Sequence, residues 1–330
     1  MNFSKALLWP LTLPYGTAVR LRARAYRGGL LRQRRLDGMV ISVGNLTVGG
    51  TGKTPMVLWI AEHLIAEGNK TGILTRGYGG RQTSAGPTSD EVRLLQSRLA
   101  DRAAFGVGAD RFARGGELVR RGIEWFILDD AFQHLELARD VDIVLLDASN
   151  PFGGGHLLPA GRLREPTSAL ARADIIVITR TDHAPAVEAI IRRESQAPVF
   201  YARMHIESVH VLEGKYPGVE DPNAQARRFF VFCGIGNPAA FLADLRAAAF
   251  DLVGHSVFGD HHRYTRRDAS FLEAAARAAG AGALLCTEKD VFNLPDGQPG
   301  SMPVCYCRSS LRVEHEDEFW RAIMEKAQPR

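Results

Sequence analysis

The sequence predicts an α/β protein with a mostly parallel sheet that helices cover on both faces. Short, continuously apolar runs alternate with helical segments from residue 39 to about 200, and the alternation resumes after residue 228. Such runs are typical of strands that are buried on both faces of a parallel sheet. A glycine-rich turn joins the first run to a helical segment. Because ligands bind at the carboxyl ends of parallel strands, the polar residues that follow them are candidate site residues.

The composition is that of a globular protein. The chain has 330 residues, of which 45% are hydrophobic and 24% charged, enough for two domains of ordinary size. Its four cysteines form no C-x-x-C pair, so the sequence indicates no disulfide framework and favours a reducing cytosol. The net charge of +4 is uneven, because arginines crowd the N-terminus. This asymmetry favours an anionic partner.

The order of elements predicts three parts: an N-terminal segment (1–36), a nucleotide-binding α/β domain (37–203) and a smaller second domain (204–330). The first domain has predicted strands at 40–43, 73–75, 125–128, 143–146, 175–178 and 199–201, and predicted helices at 55–66, 91–99, 110–121 and 185–194. The pattern breaks near residue 204. The second domain has predicted strands at 229–233, 252–257, 283–286, 304–307 and 311–313, and predicted helices through residue 250, at 267–279 and at 316–326.

The N-terminal segment combines an apolar run, residues 6–15, with the arginines that follow it. The run is shorter than the roughly 20 residues of a spanning helix, contains Pro10 and Pro14, and lacks the cleavage site of a signal peptide. It favours an interfacial segment whose Leu and Trp enter the headgroup region while arginines meet anionic lipid. The alternative is a helix docked on the protein's own core. We expect no nucleic-acid partner, because no aromatic stacking platform accompanies the arginines.

The first apolar run ends in a phosphate-binding loop, Gly49-Gly50-Thr51-Gly52-Lys53-Thr54. Glycines allow consecutive backbone N–H groups to face phosphate oxygens, and the following helix adds its dipole. Lys53 can reach the β- and γ-phosphates, and the Thr54 hydroxyl can bind Mg²⁺. Thr47 stands where the strict Walker A pattern has glycine. The loop predicts a nucleoside triphosphate with Mg²⁺.

Acidic and polar side chains follow other predicted strands. Asp129 and Asp130 end an apolar strand, as in a Walker B segment that holds Mg²⁺, and Gln133 and His134 follow at the same sheet edge. Arg76 begins a glycine-rich stretch, residues 76–81, that suits a phosphate or is a plain loop.

Three motifs are each open to two interpretations. Asp90 and Glu91 stand at a helix start, where simple capping is favoured. Asp260-His261-His262 lacks a third metal ligand, which favours a catalytic or structural histidine. The segment 179–182, Thr-Arg-Thr-Asp, is similar to the base-reading motif of GTPases. This similarity keeps open the alternative of a GTP-dependent switch or metal-insertion protein. Against it, Val48 stands where the phosphate loop of such proteins has lysine.

Together these pieces resemble the tetraacyldisaccharide 4'-kinase family over nearly the whole chain. The resemblance depends on Ser42–Pro55, Thr75–Gly79, Gly108–Arg111, Leu128–His134, Leu157–Gly161, Leu163–Pro166, Asp260–Tyr264 and Thr287–Asp290. It implies a kinase that moves the γ-phosphate of ATP, with Mg²⁺, to the 4'-hydroxyl of a tetraacyldisaccharide 1-phosphate in lipid A synthesis. It also implies a P-loop NTPase-like α/β/α domain joined by a short β-linker to a second α/β/α domain. The expected location is the cytoplasmic face of the bacterial inner membrane, with no obligate protein partner.

The resemblance also implies roles for individual residues. Asp90 would be the catalytic base, with His261 orienting it and Lys53 on the moving phosphate; the choice between His261 and His262 stays open. The implied metal site comprises Thr54, Glu91, Asp129 and Asp130, and the implied substrate side comprises Arg76, Arg111, Gln133, His134 and Glu165.

Overall fold

The structure, a computed structural model, describes residues 3–77, 81–83, 86–213, 216–295 and 300–327. Its helices are α1 (Phe3–Arg27), α2 (Lys53–Ala66), α3 (Asp90–Leu99), α4 (Arg111–Val119), α5 (Pro185–Glu194), α6 (Pro238–Ala247), α7 (Arg266–Ala278), α8 (Glu288–Val291) and α9 (Glu316–Lys326). Its strands are β1 (Met39–Asn45), β2 (Thr71–Thr75), β3 (Arg81–Thr83), β4 (Gly86–Thr88), β5 (Ala104–Val107), β6 (Trp125–Asp129), β7 (Val141–Asp147), β8 (Ile175–Thr179), β9 (Val199–Val211), β10 (Val219–Glu220), β11 (Arg228–Cys233), β12 (Asp251–Val257), β13 (Ala283–Thr287) and β14 (Val304–Val313).

One long sheet runs through the molecule, in the order β12-β11-β13-β14-β9-β8-β7-β1-β6-β2-β5, with β10 paired to β9. Neighbouring strands along this order are parallel except β14 and β9. The predicted α/β class with a mostly parallel sheet is therefore confirmed. We call the part built on β1, β2 and β5–β8 the first unit, and the part built on β11–β13 the second unit.

Burial explains why the central strands and α2 form. Strands β2, β7 and β8 are buried at every position, so their continuous apolar runs have core on both faces. Helix α2 buries Met56, Ile60 and Leu64 completely against this sheet. Full burial of such a side chain stabilises the fold by about 1.5–3 kcal/mol. The element that follows the phosphate loop is thus anchored to the core of the first unit.

The two units are joined by the antiparallel pair β9 and β14. Its ladder runs from Ala202 opposite Val313 to Val211 opposite Cys305. The predicted boundary after residue 203 falls inside β9, and the division into domains at that residue stays a prediction. The two predicted strands at 304–307 and 311–313 are one strand with a bulge at Arg308/Ser309, which interrupts the apolar pattern. Helix α9, predicted to belong to the second domain, packs into the core of the first unit.

The N-terminal segment forms a 25-residue helix, α1, that contains Pro10 and Pro14. It contacts the first unit through Tyr15, whose hydroxyl donates to the Arg164 carbonyl at 2.9 Å, and through the buried Gly16. Several of its large apolar side chains are exposed, Leu13 at 67%. Both interpretations of the segment thus describe part of α1, because some of its residues contact the first unit while several large apolar side chains are exposed. In the described residues, no helix is sufficiently long and apolar to cross a membrane.

Candidate active site

The phosphate loop lies between β1 and α2, at the carboxyl edge of the sheet. Gly49 has φ +127° and Gly52 has φ +88°, values that favour glycine over residues with a Cβ. Gly52 is also the N-cap residue of α2, and it has no side chain that could accept a hydrogen bond from the first N–H groups of the helix. These donors and the helix dipole form an anion-binding site.

The acidic pair at the end of β6 lies beside this loop, and its two members differ. Lys53 Nζ is 3.5 Å from Asp130 Oδ1, and Arg164 Nη1 donates to both Asp130 oxygens at 2.8 and 2.9 Å. Burial acts to raise the pKa of Asp130, but the charges of Lys53 and Arg164 outweigh it and the net shift is downward. Burial and the charges of Glu91 and Asp130 raise the pKa of Asp129 to about 6. Asp129 therefore carries the less compensated negative charge.

Arg111 supports this acidic strand end from behind. Its Nη2 donates to the Asp129 carbonyl at 2.7 Å, and the residue is 5% exposed although it lines the cavity described below. Burial lowers the pKa of Arg111 despite the charges of Asp129 and Asp130. The predicted substrate residue thus also holds the backbone of the acidic pair in place.

Asp90 pairs with His261 across the gap between the units. Both Asp90 oxygens lie near His261 Nδ1, at 3.1 and 3.0 Å, and Asn293 Nδ2 donates to Oδ2 at 3.1 Å. Burial acts to raise the pKa of Asp90, but the hydrogen bond to His261 prevails and lowers it, and the same bond raises the pKa of His261. The side chain of Ser89, not that of Asp90, caps α3 by accepting from Val92 N at 3.3 Å.

The two members of this pair face different surroundings. The Asp90 side chain is 4% exposed, whereas the His261 side chain is 49% exposed and lines the cavity. His262 instead bonds to Asp268 at 3.2 Å and stacks on Phe258 with ring centroids 4.6 Å apart. The structure therefore places His261, and not His262, beside Asp90 and at the cavity, so His261 is the member of the pair that a ligand can reach.

A single cavity of about 980 Å³ joins these groups. It is lined from the first unit by the phosphate loop, Gly49–Thr54, and by Arg76, Glu91, Arg111, Asp129, Asp130, Gln133 and His134. His261, Asp260 and Lys289 line it from the second unit, and Tyr15 and Arg22 line it from α1. The structure thus gathers most of the predicted site residues from three separate parts of the chain. Tyr78, Gly79 and Gly80 of the predicted glycine-rich stretch lie outside the described residues.

Two further predicted substrate residues face this cavity. Burial and the Arg111 charge lower the pKa of His134 to about 4, so its imidazole is neutral at physiological pH. Gln133 Nε2 donates to the Asn45 carbonyl at 3.0 Å, which fixes the amide beside the phosphate loop. Arg22 Nη1 of α1 donates to the Gln133 carbonyl at 2.8 Å and connects the N-terminal helix to this wall.

Glu165 does not line the cavity. It is 3% exposed, and Arg172 donates to its two carboxylate oxygens at 2.8 and 2.9 Å. The Arg172 guanidinium also lies 4.3 Å from the centroid of the Phe132 ring. This arrangement indicates a buried ion pair that supports the loop behind the site, and the contact of Glu165 with substrate stays a prediction.

We expect the Glu165→Ala change to destabilise the fold. Removing one partner of a buried ion pair costs about 3–5 kcal/mol, because it leaves the other charge uncompensated. Thermal unfolding should show a clearly lower Tm, and Arg172→Met, which removes the other partner, should lower it similarly. A raised KM for the acceptor with an unchanged Tm would instead place Glu165 in substrate binding.

Lys289 is a site residue that the sequence prediction missed. Its Nζ lies 3.2 Å from Glu91 Oε1 and 3.7 Å from Asp90 Oδ2. Burial acts to lower its pKa, but the charges of Glu91 and Asp90 raise it, so the side chain is a cation. The sequence signal that could have pointed to Lys289 is the segment Thr287–Asp290. Thr287 and Asp290 form a capping box that begins α8 beside the cavity.

The GTPase-like segment 179–182 has a structural role. Thr179 Oγ1 donates to the Thr51 carbonyl of the phosphate loop at 3.1 Å, and Arg180 Nε contacts Asp147 Oδ2 at 2.8 Å. The Asp182 carboxylate, which would read guanine, pairs with Arg203 and does not line the cavity. This placement removes the geometric basis for guanine recognition by that motif.

The predicted metal ligands do not form a metal site by themselves. In the described part of the chain, no three His, Cys, Asp or Glu side chains are grouped to hold an ion. Asp129 is nevertheless buried beside Glu91 and Asp130, and no described Lys, Arg or His forms an ion pair with it. Mg²⁺ in kinase sites binds one or two carboxylates together with substrate phosphates and water. The residues present therefore fit Mg²⁺ that arrives with a nucleotide.

Comparison with known proteins is consistent with this site. The family model described as LpxK, tetraacyldisaccharide-1-P 4'-kinase, matches residues 4–328. A tetraacyldisaccharide 4'-kinase from Geobacter metallireducens is 43% identical over 308 residues, covering 88% of each chain, and one from Syntrophobacter fumaroxidans is 39% identical, covering 92% of this chain and 86% of that one. The crystal structure of LpxK from Aquifex aeolicus in complex with ATP has a TM-score of 0.75 and 26% identity, and covers 98% of this chain and 99% of that chain.

Proposed function

Because the chain belongs to the tetraacyldisaccharide-1-P 4'-kinase family, we propose that it transfers the γ-phosphate of ATP to the 4'-hydroxyl of a tetraacyldisaccharide 1-phosphate in lipid A biosynthesis. The observation that carries this proposal is one cavity lined both by a phosphate loop and by an Asp-paired histidine. The first group binds the donor, and the second accepts the proton of an alcohol. Phosphoryl transfer to an alcohol needs both within the same enclosed space.

The phosphate loop holds the triphosphate of ATP. Backbone N–H groups of residues 49–54 and the N-terminus of α2 face the cavity and bind phosphate oxygens. Lys53, now 3.5 Å from Asp130, supplies the cation beside the transferred group. The charge on the phosphoryl group in transit is spread over its oxygens, so fixed N–H donors and a fixed ammonium stabilise it without reorganisation.

Thr54, Asp129 and Asp130 would hold Mg²⁺, with Glu91 nearby. The ion would supply positive charge that neutralises the triphosphate during transfer. Asp130 is compensated by Lys53 and Arg164, whereas the charges of Lys53 and Arg111 only partly offset the burial of Asp129. Asp129 is therefore the carboxylate most suited to meet the cation, while Asp130 holds Lys53 in place.

We assign proton acceptance to His261 and its orientation to Asp90, the reverse of the roles that the family resemblance suggested. Asp90 is buried behind His261, whose ring faces the cavity. A proton on Nδ1, donated to Asp90, leaves the lone pair on Nε2 for the 4'-hydroxyl. The carboxylate raises the pKa of His261 and so makes it a stronger base.

The acceptor sugar lies against the wall formed by Arg76, Arg111, Gln133 and His134, with Tyr15 and Arg22 of α1 at its edge. Arginines suit the phosphate that the acceptor carries, because a guanidinium binds phosphate with two parallel hydrogen bonds. Neutral His134 can accept or donate to a sugar hydroxyl without adding charge. The first unit and α1 thus contact the acceptor sugar together, and His261 adds a contact from the second unit.

We also propose that α1 holds the enzyme on an anionic membrane, at the cytoplasmic face of the inner membrane. The exposed residues of the helix include Trp9, Leu11, Leu13 and Leu21, together with Arg20, Arg24 and Arg27. Apolar side chains enter the headgroup boundary while arginines meet lipid phosphates. The acyl chains of the acceptor are in that membrane, and α1 lines the cavity that receives its sugars.

We expect the double substitution Trp9→Ser/Leu13→Ser to weaken binding to phosphatidylglycerol vesicles by at least about 10-fold, because each apolar side chain contributes roughly 1.5–3 kcal/mol when buried. The KM for the acyl disaccharide should rise, while the KM for ATP should not. Vesicle sedimentation and steady-state kinetics provide the two measurements. Phe271→Ser, which changes an equally exposed apolar residue on α7, is the matched control. Equal sedimentation of the double variant and wild type would contradict the docking role of α1.

The direct test of the proposed function is transfer of ³²P from [γ-³²P]ATP to a tetraacyldisaccharide 1-phosphate presented in mixed micelles. A labelled 4'-phosphate product is expected with ATP, and little or none with GTP. Absence of labelled lipid under conditions where the protein binds ATP would overturn the proposal.

A further inference from the structure

The segment Gly234-Ile235-Gly236-Asn237, which we call the 234–237 loop, joins β11 to α6 in the second unit. A Gly-x-Gly turn of this kind is ordinary between a strand and a helix, and the sequence attaches no role to it. In the structure, however, the loop contacts the phosphate loop, the end of β7 and the segment that carries His261. Each contact is made at a different residue of the loop.

The first contact connects the loop to the catalytic histidine. The backbone N–H of His261 donates to the Gly234 carbonyl at 2.9 Å, and the Gly234 N–H donates to Asp290 Oδ1 at 2.8 Å. His261 has φ +58°, a conformation that a residue other than glycine adopts at a cost unless its surroundings hold it. The hydrogen bond to Gly234 is one of the contacts that hold it there.

The second contact connects the loop to the phosphate loop. A Cβ built on Gly236 would lie 3.1 Å from Gly50 N and 3.2 Å from Asp260 Oδ2. The φ of Gly236 is not in the left-handed region, so the backbone would accept alanine and only this close approach requires glycine. Gly236 therefore lies directly against the N–H groups that receive the phosphates.

The third contact is a hydrogen bond between the units. Asn237 Nδ2 donates to Asp147 Oδ2 at 3.1 Å, and Asp147 is itself fixed by Arg180 Nε at 2.8 Å and by Ser149 Oγ at 2.6 Å. The other amide atom, Asn237 Oδ1, caps α6 by accepting from Ala240 N at 3.2 Å. One side chain thus begins a helix of the second unit and holds that helix to the sheet edge of the first.

From these contacts we propose that Asn237 is a positioning residue for phosphoryl transfer: through Asp147 it holds the 234–237 loop on the phosphate loop and thereby sets the location of His261 relative to the γ-phosphate. The proposal depends on the role assigned to His261 above. The Asp90–His261 bond fixes the direction of the imidazole, whereas the Asn237–Asp147 bond fixes the distance between the base and the donor site. The Arg180–Asp147 pair belongs to this device, which gives the segment 179–182 a function other than base reading.

The Asn237→Ser substitution separates positioning from folding. Serine is a favoured helix cap, so α6 should still begin at the same residue, but the amide that reaches Asp147 is lost. We expect kcat to fall about 10-fold or more, because a displacement of 1 Å from reacting geometry costs up to about 100-fold. The KM for ATP and the Tm should stay close to those of wild type. Asn223→Ser, which changes an exposed asparagine whose side chain caps no helix, is the matched control and should leave kcat unchanged.

A reciprocal exchange tests the contact itself. Asn237→Asp places a second carboxylate against Asp147, and we expect a larger loss of kcat than for Asn237→Ser. Combining it with Asp147→Asn restores an amide–carboxylate pair in the opposite direction and should recover part of the lost kcat. A merely structural effect on α6 would not be reversed by a change on β7. Gly236→Ala should lower kcat independently, since its methyl group pushes the 234–237 loop off Gly50.

Wild type and His261→Ala are assayed in parallel to keep the two proposals distinct. Full activity of His261→Ala would overturn the role of His261, and with it the proposed function of this pair. A strongly impaired His261→Ala together with wild-type kcat for Asn237→Ser would overturn only the positioning role of Asn237. If the double variant Asn237→Asp/Asp147→Asn has a kcat no higher than that of Asn237→Asp alone, the positioning role of Asn237 is likewise overturned.

Discussion

The His261→Ala variant is expected to lose about 10²–10⁴-fold in kcat, the usual contribution of a positioned general base. The substitution removes the group to which we assign acceptance of the 4'-hydroxyl proton but touches neither the phosphate loop nor Lys53. ATP binding, measured by calorimetry, should therefore be nearly unchanged. The radiolabel transfer assay under saturating ATP gives kcat directly. Near-wild-type turnover would show that another group accepts the proton.

The pH dependence of kcat distinguishes the roles of His261 and Asp90. Imidazole must be neutral to accept a proton, so kcat should fall as pH drops through the pKa of His261, which Asp90 raises above the ordinary value of about 6.5. In Asp90→Asn the carboxylate no longer stabilises the imidazolium, so the acid limb should move to lower pH. The maximal kcat should fall as well, because the base is weaker and less well oriented. An acid limb that disappears in Asp90→Asn but stays unshifted in a partially active His261 variant would make Asp90 the base.

The Lys53→Met variant is expected to lose about 10²–10³-fold in kcat, comparable to the removal of one donor that stabilises a transition state. Methionine keeps the length and apolar stem of the side chain but removes the ammonium beside Asp130. Asp130 would keep Arg164 as its partner at 2.8 Å, so the acidic strand end should stay in place. Thermal unfolding with and without Mg²⁺ and ATP checks that the fold and the metal site are retained.

Lys53→Arg is the matched control, because it keeps the charge but changes its shape. We expect it to recover only part of the lost activity, since a planar guanidinium does not occupy the point position of an ammonium. Equal kcat for Lys53→Met and wild type would exclude Lys53 from stabilising the transferred phosphoryl group. Equal kcat for the Arg and Met variants would show that the position of the charge matters more than its presence.

Local patterns predicted the centre of the fold well. The strand, loop and helix around Gly49–Thr54 are adjacent in sequence, so one apolar run, its glycines and one amphipathic segment specify them together. Asp129 and Asp130 follow a completely apolar strand, so their position beside this loop was predictable for the same reason. The predicted helix at 185–194 matches α5 because its proline start and apolar period are both local signals.

Features that depend on distant contacts were not predictable from one sequence. Asp90 and His261 are 171 positions apart, and only the folded chain shows that His261 lies in front of Asp90. Lys289 carries no motif of its own that indicates a catalytic cavity. Strand β9 was predicted as three residues but has thirteen, because its later residues alternate between exposed and buried and lack a continuous apolar run. Glu165 stands in a family motif, yet its carboxylate is satisfied by Arg172.

The join between the units determines how the molecule deforms. Since β9 and β14 form a hydrogen-bonded two-stranded ribbon and not a flexible linker, any change in the angle between the units would have to deform that ribbon as well as the Asp90–His261 and Asn237–Asp147 contacts. Such a connection favours one angle between the two units. The ladder is interrupted at the bulge at Arg308/Ser309, and we expect the ribbon to bend most easily there.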